Sequence, residues 1–250
     1  MSKEQIPHYR NFMKANFEIF DSVETDQQKK LPIPPLTKEV EPDQMVISLP
    51  EVSVFSSESI SVYDAIRHRV SVRKYSDRAM SLIELSFLLY CTQGVRAYKE
   101  GKFSLRTVPS AGARHPFETY LSVMNVEGIE KGLYRYQPFD NVLVCLYEDK
   151  NIGEKTAAAA YDQTFAGTAA VTFIWSCIPY RGEWRYDITA HKSMLLDAGH
   201  VCQNLYVACE AIHSGTCAIA AYNQQMMDEL IQVDGEDEFV VYMSPVGKKS

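Results

Sequence analysis

The stretch Arg69-Val70-Ser71-Val72-Arg73 decides how this chain is interpreted. Side chains of an extended segment alternate between two faces, so Arg69, Ser71 and Arg73 point to the same side. Two guanidinium groups with a hydroxyl between them can donate hydrogen bonds to a phosphate and to a second electron-rich group of one ligand. The segment therefore indicates an anion-binding wall, with a solvated basic face as the alternative for so short a motif.

Composition limits the kinds of ligand and partner that this segment can serve. The 250 residues suffice for one large domain, and a net charge of -7 argues against a nucleic-acid surface. The six cysteines form no CxxC pair, so we expect reduced, buried thiols and no metal site. The start of the chain is polar and no apolar run has the length of a membrane span. We expect a cytoplasmic protein whose ligand is a small anion.

The first 58 residues differ in composition from the rest. Three prolines within residues 31–36 impose an extended path and exclude a regular helix there. Aromatic residues such as Tyr9, Phe12 and Phe20 provide apolar anchors, so we expect this segment to wrap across the body instead of remaining flexible. The sequence predicts an extended, Pro-containing N-terminal arm (1–58) followed by one domain (59–250).

Within 59–250 the pattern alternates between strands and helices without βαβ regularity, which indicates the α+β class. Ser81 and Glu84 form a capping box for a helix that Gly94 ends. The longest helix is predicted at 188–213, where an apolar stripe is flanked by Gly199 and Ala208, small residues suited to close helix packing. Further helices are predicted at 61–67, 152–161 and from Asn223, and strands at 119–126, 132–136, 142–147, 169–178, 216–220 and 238–244.

Three further segments fit the same small ligand. The loop around Pro109, Ser110, Ala111 and Gly112 carries small side chains and allows close backbone approach, although by itself it is only a turn. The segment 215–222 has small side chains that leave backbone N–H groups accessible, or it is a packed core strand. The tail after residue 244 brings lysines that can be solvated or can reach back to a phosphate; they are Lys248 and Lys249.

In their order and spacing these segments resemble the FMN-dependent nitroreductase family, most closely its branch of SagB-type dehydrogenases. The resemblance covers about residues 59–250. The motifs that carry it are Arg-x-Ser-x-Arg, Pro-Ser-Ala-Gly-x-x-x-Pro-x-Glu, Leu-Asp-Ala-Gly-His-x-x-Gln-Asn-Leu-Tyr (196–206), Gly-Thr-Cys-Ala-Ile and Pro-Val-Gly-Lys.

The resemblance implies a nitroreductase-like fold, with a central, mostly antiparallel sheet flanked by helices in an intertwined homodimer. It also implies FMN held without a covalent bond between the two subunits. Arg69, Ser71 and Lys248, with Lys249 beside it, match phosphate-side residues, and Arg73 matches a cation near the ribityl chain and pyrimidine edge. The remaining matches are Pro109, Ser110, Ala111 and Gly112 in a loop donated by the partner subunit, and Ile219, Ala220 and Ala221 at a strand end that meets the flavin N5 region.

The substrate is less defined than the cofactor. Branch members that oxidise azoline rings in peptides use a Lys-Tyr pair, but this chain has Arg185 before Tyr186, and arginine is a poor general base. We assign no catalytic residue and name Tyr186 as the candidate, because it could donate or relay a proton. With no GxGxxG motif present, NADH or NADPH is expected to stack only transiently on the flavin.

Three functions fit these features. The first is an oxidoreductase that transfers hydride between NAD(P)H or a small-molecule or peptide substrate and bound FMN. The second is a non-catalytic flavin-binding or partner-binding subunit of a peptide-maturation complex. The third is a phosphopeptide-binding or nucleotide-binding module that uses Arg69 and Arg73.

Overall fold

A seven-stranded sheet forms the centre of the computed structural model, which describes residues 3–15, 17–55, 60–99 and 101–250. The strand order is β1-β6-β5-β4-β7-β9-β8, and all neighbouring strands are antiparallel, while β2 and β3 form a separate hairpin. The strands are β1 (Val46–Ser48), β2 (Val95–Lys99), β3 (Phe103–Arg106), β4 (Phe117–Val123), β5 (Gly132–Gln137), β6 (Val142–Glu148), β7 (Val171–Cys177), β8 (Ser214–Thr216) and β9 (Phe239–Lys248).

Helices cover both faces of this sheet. Alternate residues of β7 enter two separate apolar cores: Phe173 and Trp175 belong to one, and Ile174 to the other. Helices α3 and α7 contribute to the first core, and α4, α5 and α8 to the second, which explains why β7 is apolar along its whole length. The helices are α1 (Ile6–Phe12), α2 (Val62–His68), α3 (Leu82–Gln93), α4 (Ile152–Ala159), α5 (Phe165–Thr168), α6 (Tyr180–Tyr186), α7 (Ala190–Glu210) and α8 (Gln224–Ile231).

The local predictions that rest on caps are confirmed. Ser81 and Glu84 form the complete capping box of α3, since each side chain contacts the backbone N–H of the other residue. The side chain of Ser61 caps α2, and that of Asn223 caps α8. The α+β class and the mostly antiparallel sheet follow the prediction as well.

Two predictions in the C-terminal part are wrong. The strand expected at 216–220 is instead β8, at Ser214–Thr216, and beyond it only Ile219 pairs with β9, through Met243. The expected tail after residue 244 is part of β9, which continues to Lys248. Pro245 does not end the strand, because β7 pairs with β9 on both sides of this residue and β8 pairs with β9 directly after it, at 246–248. Pairing with two neighbouring strands thus outweighs Pro245 and Gly247, residues that ordinarily indicate the end of a strand.

The N-terminal arm is an integral part of the sheet. Its proline-containing section has no helix, as predicted, but 3₁₀ turns at Lys3–Gln5 and Phe17–Ser22 and the helix α1 precede it and were not predicted. The arm then supplies β1, which pairs with β6 at the sheet edge with Val46 opposite Val144. The domain boundary at residue 58 lies among residues 56–59, outside the described residues, and stays a prediction.

Candidate functional site

The predicted anion-binding wall lies beside β8, at one edge of the sheet. The segment 69–73 is extended, and the backbone N–H of Val72 donates to the carbonyl of Thr216 at 2.9 Å. This contact holds Ser71 in a parallel bridge with Thr216. Arg69 is half-buried, whereas Ser71 and Arg73 are exposed. Because the backbone of the segment is bonded to β8, its polar side chains have a fixed direction.

Tyr206 of α7 connects the parts of this wall, and the sequence analysis did not assign it to the site. The guanidinium carbon of Arg69 lies 5.2 Å from the centre of the Tyr206 ring. The Tyr206 hydroxyl lies 3.1 Å from Ser71 Oγ and accepts a hydrogen bond from the backbone N–H of Ala218 at 2.8 Å. We call Arg69, Ser71, Arg73 and Tyr206 the cationic patch.

The positive charges of the cationic patch are free for a ligand. Among the residues that the structure describes, no carboxylate forms an ion pair with Arg69 or Arg73. The guanidinium group of Arg73 instead lies 5.9 Å from the ring centre of Phe165 in α5. Two unpaired guanidinium groups and an exposed hydroxyl are a suitable donor set for a phosphate.

The predicted strand-end residues follow β8. Ile219 is buried and exchanges two backbone hydrogen bonds with Met243, at 2.8 and 3.2 Å. Ala220 and Ala221 are exposed, and within the described part of the chain their backbone N–H groups have no hydrogen-bond acceptor. Free N–H groups two and three residues beyond Ala218 suit a ligand with a ring nitrogen or a carbonyl.

Lys248 and Lys249 already have carboxylate partners in this structure. The ammonium of Lys248, which is nearly buried, contacts the Glu84 carboxylate and donates to the carbonyl of Ile212 at 2.9 Å. Lys249 bonds both carboxylate oxygens of Glu210, at 2.8 and 2.7 Å. Burial acts to raise the pKa of Glu84, but Lys248 and the Ser81 cap outweigh it and the pKa is lowered. The proposed phosphate role of both lysines stays a prediction.

The loop of Pro109, Ser110, Ala111 and Gly112 lies against the other end of α7. The backbone N–H of Ala111 donates to Asp197 Oδ2 at 2.9 Å, and Ser110 Oγ accepts from the N–H of His115 at 2.9 Å. Burial raises the pKa of Asp197 despite these contacts. Pro109 is exposed. The loop is thus held by a carboxylate that the sequence analysis did not assign to the site.

Gly112 is required where it stands. Its φ of 57° is in the left-handed region, and a Cβ atom there would lie 2.6 Å from the Tyr186 hydroxyl and 2.9 Å from Arg185 Cδ. Tyr186, the candidate for a proton-transfer role, therefore packs against this loop and not against the cationic patch. The ring of Phe20 from the N-terminal arm lies 6.4 Å from the Tyr186 ring.

The loop and the cationic patch are separated along α7. Asp197 and Tyr206 are nine residues apart on this helix, which corresponds to about 14 Å at the rise of an α-helix. Each set contacts its own end of α7, so the described chain does not bring all the predicted flavin residues together. A ligand that uses both sets has to span this distance or take the loop from a second copy.

A second group of arginines lies beneath the N-terminal arm and is unrelated to the cationic patch. Glu118 contacts Arg181 Nη2 at 2.6 Å and Arg135 Nη1 at 3.8 Å. Burial lowers the pKa of Arg106 to about 10, and burial also lowers that of Arg114 to about 10. We call these five residues the buried arginine cluster.

The arm covers this cluster through its backbone. Arg106 Nη2 donates to the carbonyl of Leu36 at 3.0 Å, and Arg135 donates to the carbonyls of Lys38 and Glu39 at 3.2 and 2.6 Å. We call residues 36–39 the strap. One nitrogen each of Arg106, Arg114 and Arg181 has no hydrogen-bond partner among the described residues, yet these side chains are closed to solvent. The cluster is therefore not open to a ligand from solvent in this structure.

The fold is of the α+β class, and the cationic patch lies at one edge of its sheet. The model of the Nitroreductase family matches residues 66–248. Because the match spans more than half of the chain, the protein belongs to the nitroreductase family, and it has the nitroreductase-like fold.

Two curated relatives support this assignment. The "Putative nitroreductase MJ1384" of Methanocaldococcus jannaschii is 31% identical over 207 residues, which cover 83% of this chain and 98% of that protein. The "Trifolitoxin-processing protein TfxB" of Rhizobium leguminosarum bv. trifolii is 25% identical over 156 residues. This second match covers 60% of this chain but only 41% of the relative.

Solved structures share the fold at lower identity. A nitroreductase-like protein of Ralstonia eutropha superposes with a TM-score of 0.68 at 21% identity, covering 88% of this chain and 98% of that one. A chain of the Escherichia coli microcin synthetase McbBCD complex, solved with truncated pro-MccB17 bound, has a TM-score of 0.61 at 17% identity. The match covers 100% of this chain and 95% of that one. A Desulfovibrio desulfuricans protein in complex with FMN has a TM-score of 0.53 at 15% identity, and the match covers 77% of this chain and 88% of that one.

The described residues include no helix with both the length and the apolar character needed to cross a bilayer.

Proposed function

We propose that this protein is an FMN-dependent oxidoreductase of the SagB-type branch. The proposal rests on the guanidinium groups of Arg69 and Arg73, with Ser71 between them, and on the backbone N–H groups of Ala220 and Ala221 beyond β8. In the part of the chain that the structure describes, these guanidinium groups have no carboxylate partner and these N–H groups have no acceptor. A structural neighbour with the same fold was solved with FMN. The cytoplasmic location expected from the sequence stays a prediction.

In this proposal the cationic patch holds the flavin phosphate, and the protein orients the ring. Arg69 and Ser71 donate to the phosphate, and Arg73 places a positive charge near the ribityl chain and the pyrimidine edge. The N–H groups of Ala220 and Ala221 face the N5 side of the ring. Bound FMN would supply two-electron redox chemistry, with NADH or NADPH as a transient donor.

We further propose a homodimer with two composite sites. Apolar side chains on α2 and α7 face outward, including Val62 at 71% exposure, Leu195 at 51% and Leu196 at 58%. A Cβ atom at Gly199, on the same helix, would meet nothing within 4 Å. A second copy packed on this face would cover these residues, and it could bring the Ser110–Gly112 loop to the partner's patch.

The first experiment tests the cofactor and the reaction together. Purified protein is titrated with FMN, its visible spectrum is recorded, and NADH or NADPH is added without oxygen. We expect tight FMN binding and loss of the flavin absorption within one turnover. A protein that stays colourless and does not take up FMN would contradict the proposal.

A complementation experiment tests the composite site. Arg69→Glu disables the patch, and Asp197→Ala releases the loop, so we expect each homodimer to bind FMN weakly. If sites combine two chains, a mixed dimer of the variants has one site with both changes and one with neither. We then expect one FMN per mixed dimer at near wild-type affinity. No recovery in the mixed dimer would place the whole site within one chain.

The second candidate function is a flavin-binding subunit of a peptide-maturation complex. It is favoured by the fold shared with a chain of the microcin synthetase complex and by the similarity to the trifolitoxin-processing protein. This function predicts bound FMN that NADH and NADPH do not reduce, so the same anaerobic experiment separates it from the first.

A further inference from the structure

We propose that Tyr206 is a positioning residue, which sets the hydrogen-bonding direction of Ser71 toward a phosphate and holds Arg69 in place. The inference rests on the proposed function, since the ligand is FMN. It assigns a role to a side chain in α7 that lies behind the residues expected to touch the cofactor.

The first step concerns the hydroxyl of Tyr206. A backbone N–H can only donate, so the 2.8 Å bond from Ala218 makes the Tyr206 oxygen an acceptor. The hydroxyl hydrogen of Tyr206 remains available, and Ser71 Oγ lies within reach at 3.1 Å. Tyr206 can therefore accept from the strand end and donate to Ser71 at the same time.

The second step concerns Ser71. A phosphate oxygen is an acceptor, so a serine that binds it must donate its own hydrogen. When Tyr206 donates to Ser71 Oγ, the Ser71 hydrogen is directed away from Tyr206 and is free for the anion. The chain of donors thus runs from the Ala218 N–H through Tyr206 to Ser71 and ends at the phosphate.

The third step concerns Arg69. Its guanidinium carbon lies 5.2 Å from the Tyr206 ring centre, and stacking on the ring limits the positions of the long side chain. Because the ring and the hydroxyl act on different neighbours, their contributions can be separated. Tyr206→Phe removes the hydroxyl and keeps the ring, whereas Tyr206→Leu removes both.

The experiment compares FMN with riboflavin, which has the same ring system but no phosphate. Dissociation constants are measured by flavin fluorescence for the wild type, Tyr206→Phe and Tyr206→Leu. We expect Tyr206→Phe to weaken FMN binding about fivefold to tenfold and Tyr206→Leu about threefold more, with riboflavin affinity unchanged within about twofold. Tyr147→Phe is the matched control, because the Tyr147 hydroxyl likewise bonds to the backbone, donating to the carbonyl of Leu230 at 2.7 Å, but lies away from the patch.

A double variant shows whether Tyr206 acts through Ser71. If it does, adding Tyr206→Phe to Ser71→Ala should weaken FMN binding less than twofold beyond Ser71→Ala alone. Independent, multiplying effects would overturn the proposal, as would equal losses for FMN and riboflavin, which indicate a general structural role. Wild-type-like FMN binding by Tyr206→Phe overturns this inference only, whereas a wild type that binds neither flavin overturns the proposed function as well.

Discussion

Arg69 and Arg73 lie at the sheet edge and have no carboxylate partner among the described residues, whereas Arg135 and Arg181 are buried and both contact Glu118. The side-chain chemistry is the same in both places. In the buried arginine cluster, oxygens of the protein accept from several guanidinium nitrogens, and solvent is excluded from the rest. In the cationic patch the donors remain available. Accessible donors, and not the number of arginines, distinguish a ligand site from a structural network.

Removing the strap should cause the largest loss in the free energy of unfolding, because the strap covers the buried arginine cluster and, among the described residues, makes no hydrogen bond to the cationic patch. A chain without residues 1–40 loses the three carbonyls that accept from Arg106 and Arg135. Hydrogen bonds to charged groups contribute about 1.5–3 kcal/mol each, so we expect a loss of roughly 5 kcal/mol or more, close to the total stability of many domains. Urea unfolding measures this loss.

The control for this truncation is a chain without residues 1–24, which keeps the strap. It removes α1 and the Phe17–Ser22 turn, in which no residue is buried. We expect a loss of less than about 1 kcal/mol. Similar losses for both truncations would show that the strap does not stabilise the cluster.

Glu118→Gln tests the cluster from its centre. The change leaves Arg181 and Arg135 buried without a negative charge, and breaking a buried pair from one side typically costs about 3–5 kcal/mol. Urea unfolding should show a loss in this range, while the exposed Glu236→Gln serves as the control. A loss below about 1 kcal/mol would mean that the charge of Glu118 does not stabilise the two arginines.

Arg69→Ala should change binding and leave the fold intact. Losing a charge-assisted contact to phosphate should weaken FMN binding about tenfold to a hundredfold. The melting temperature should stay near that of the wild type. Arg67→Ala is the matched control, because Arg67 is an exposed arginine two residues earlier on α2. Full FMN retention by Arg69→Ala would remove the phosphate assignment.

The smallest effect is expected at Glu84, where the ion pair with Lys248 joins α3 to β9. The pKa of Glu84 is lower in the folded protein than its ordinary value, so the carboxylate stabilises the fold at neutral pH. This stabilisation is lost as the pH falls through the lowered pKa. Glu84→Gln should therefore be less stable than the wild type at pH 7. The difference should begin to shrink as the pH falls below the ordinary glutamate pKa of about 4.3, and it should vanish once the pH is below the lowered pKa of the folded protein.

Unfolding curves for both proteins across this pH range provide the measurement. A difference that is constant with pH would show that the Glu84–Lys248 pair does not respond to titration of the carboxyl group.

The sequence predicted the local features of this molecule better than it predicted the contacts between distant segments. The caps at Ser61, Ser81 and Asn223 and the apolar strand β7 could be recognised, because a few neighbouring residues determine them. The contacts of Tyr206 with the site could not be predicted from its helix motif, because its partners Ser71 and Ala218 are 135 and 12 residues away in sequence. Asp197 was overlooked for a similar reason, because it contacts a loop 86 residues earlier.

The ends of the sheet could not be predicted from local sequence either. β1 is only three residues long, and β9 continues through a proline that ordinarily indicates the end of a strand. Both are determined by pairing with strands that are distant in the chain.

The pairing of β1 with β6 also constrains the order in which parts of the protein can fold during synthesis. Val46 pairs with Val144, which leaves the ribosome 98 residues later (144 − 46). At typical rates of about 5–20 residues per second, the nascent arm waits roughly 5–20 s for its partner strand. For most of that interval the strap lacks its arginines as well, because Arg106 and Arg135 follow Val46 by 60 and 89 residues (106 − 46 and 135 − 46). The arm is thus synthesised well before the segments that it packs against, and it can complete its contacts only after they have emerged.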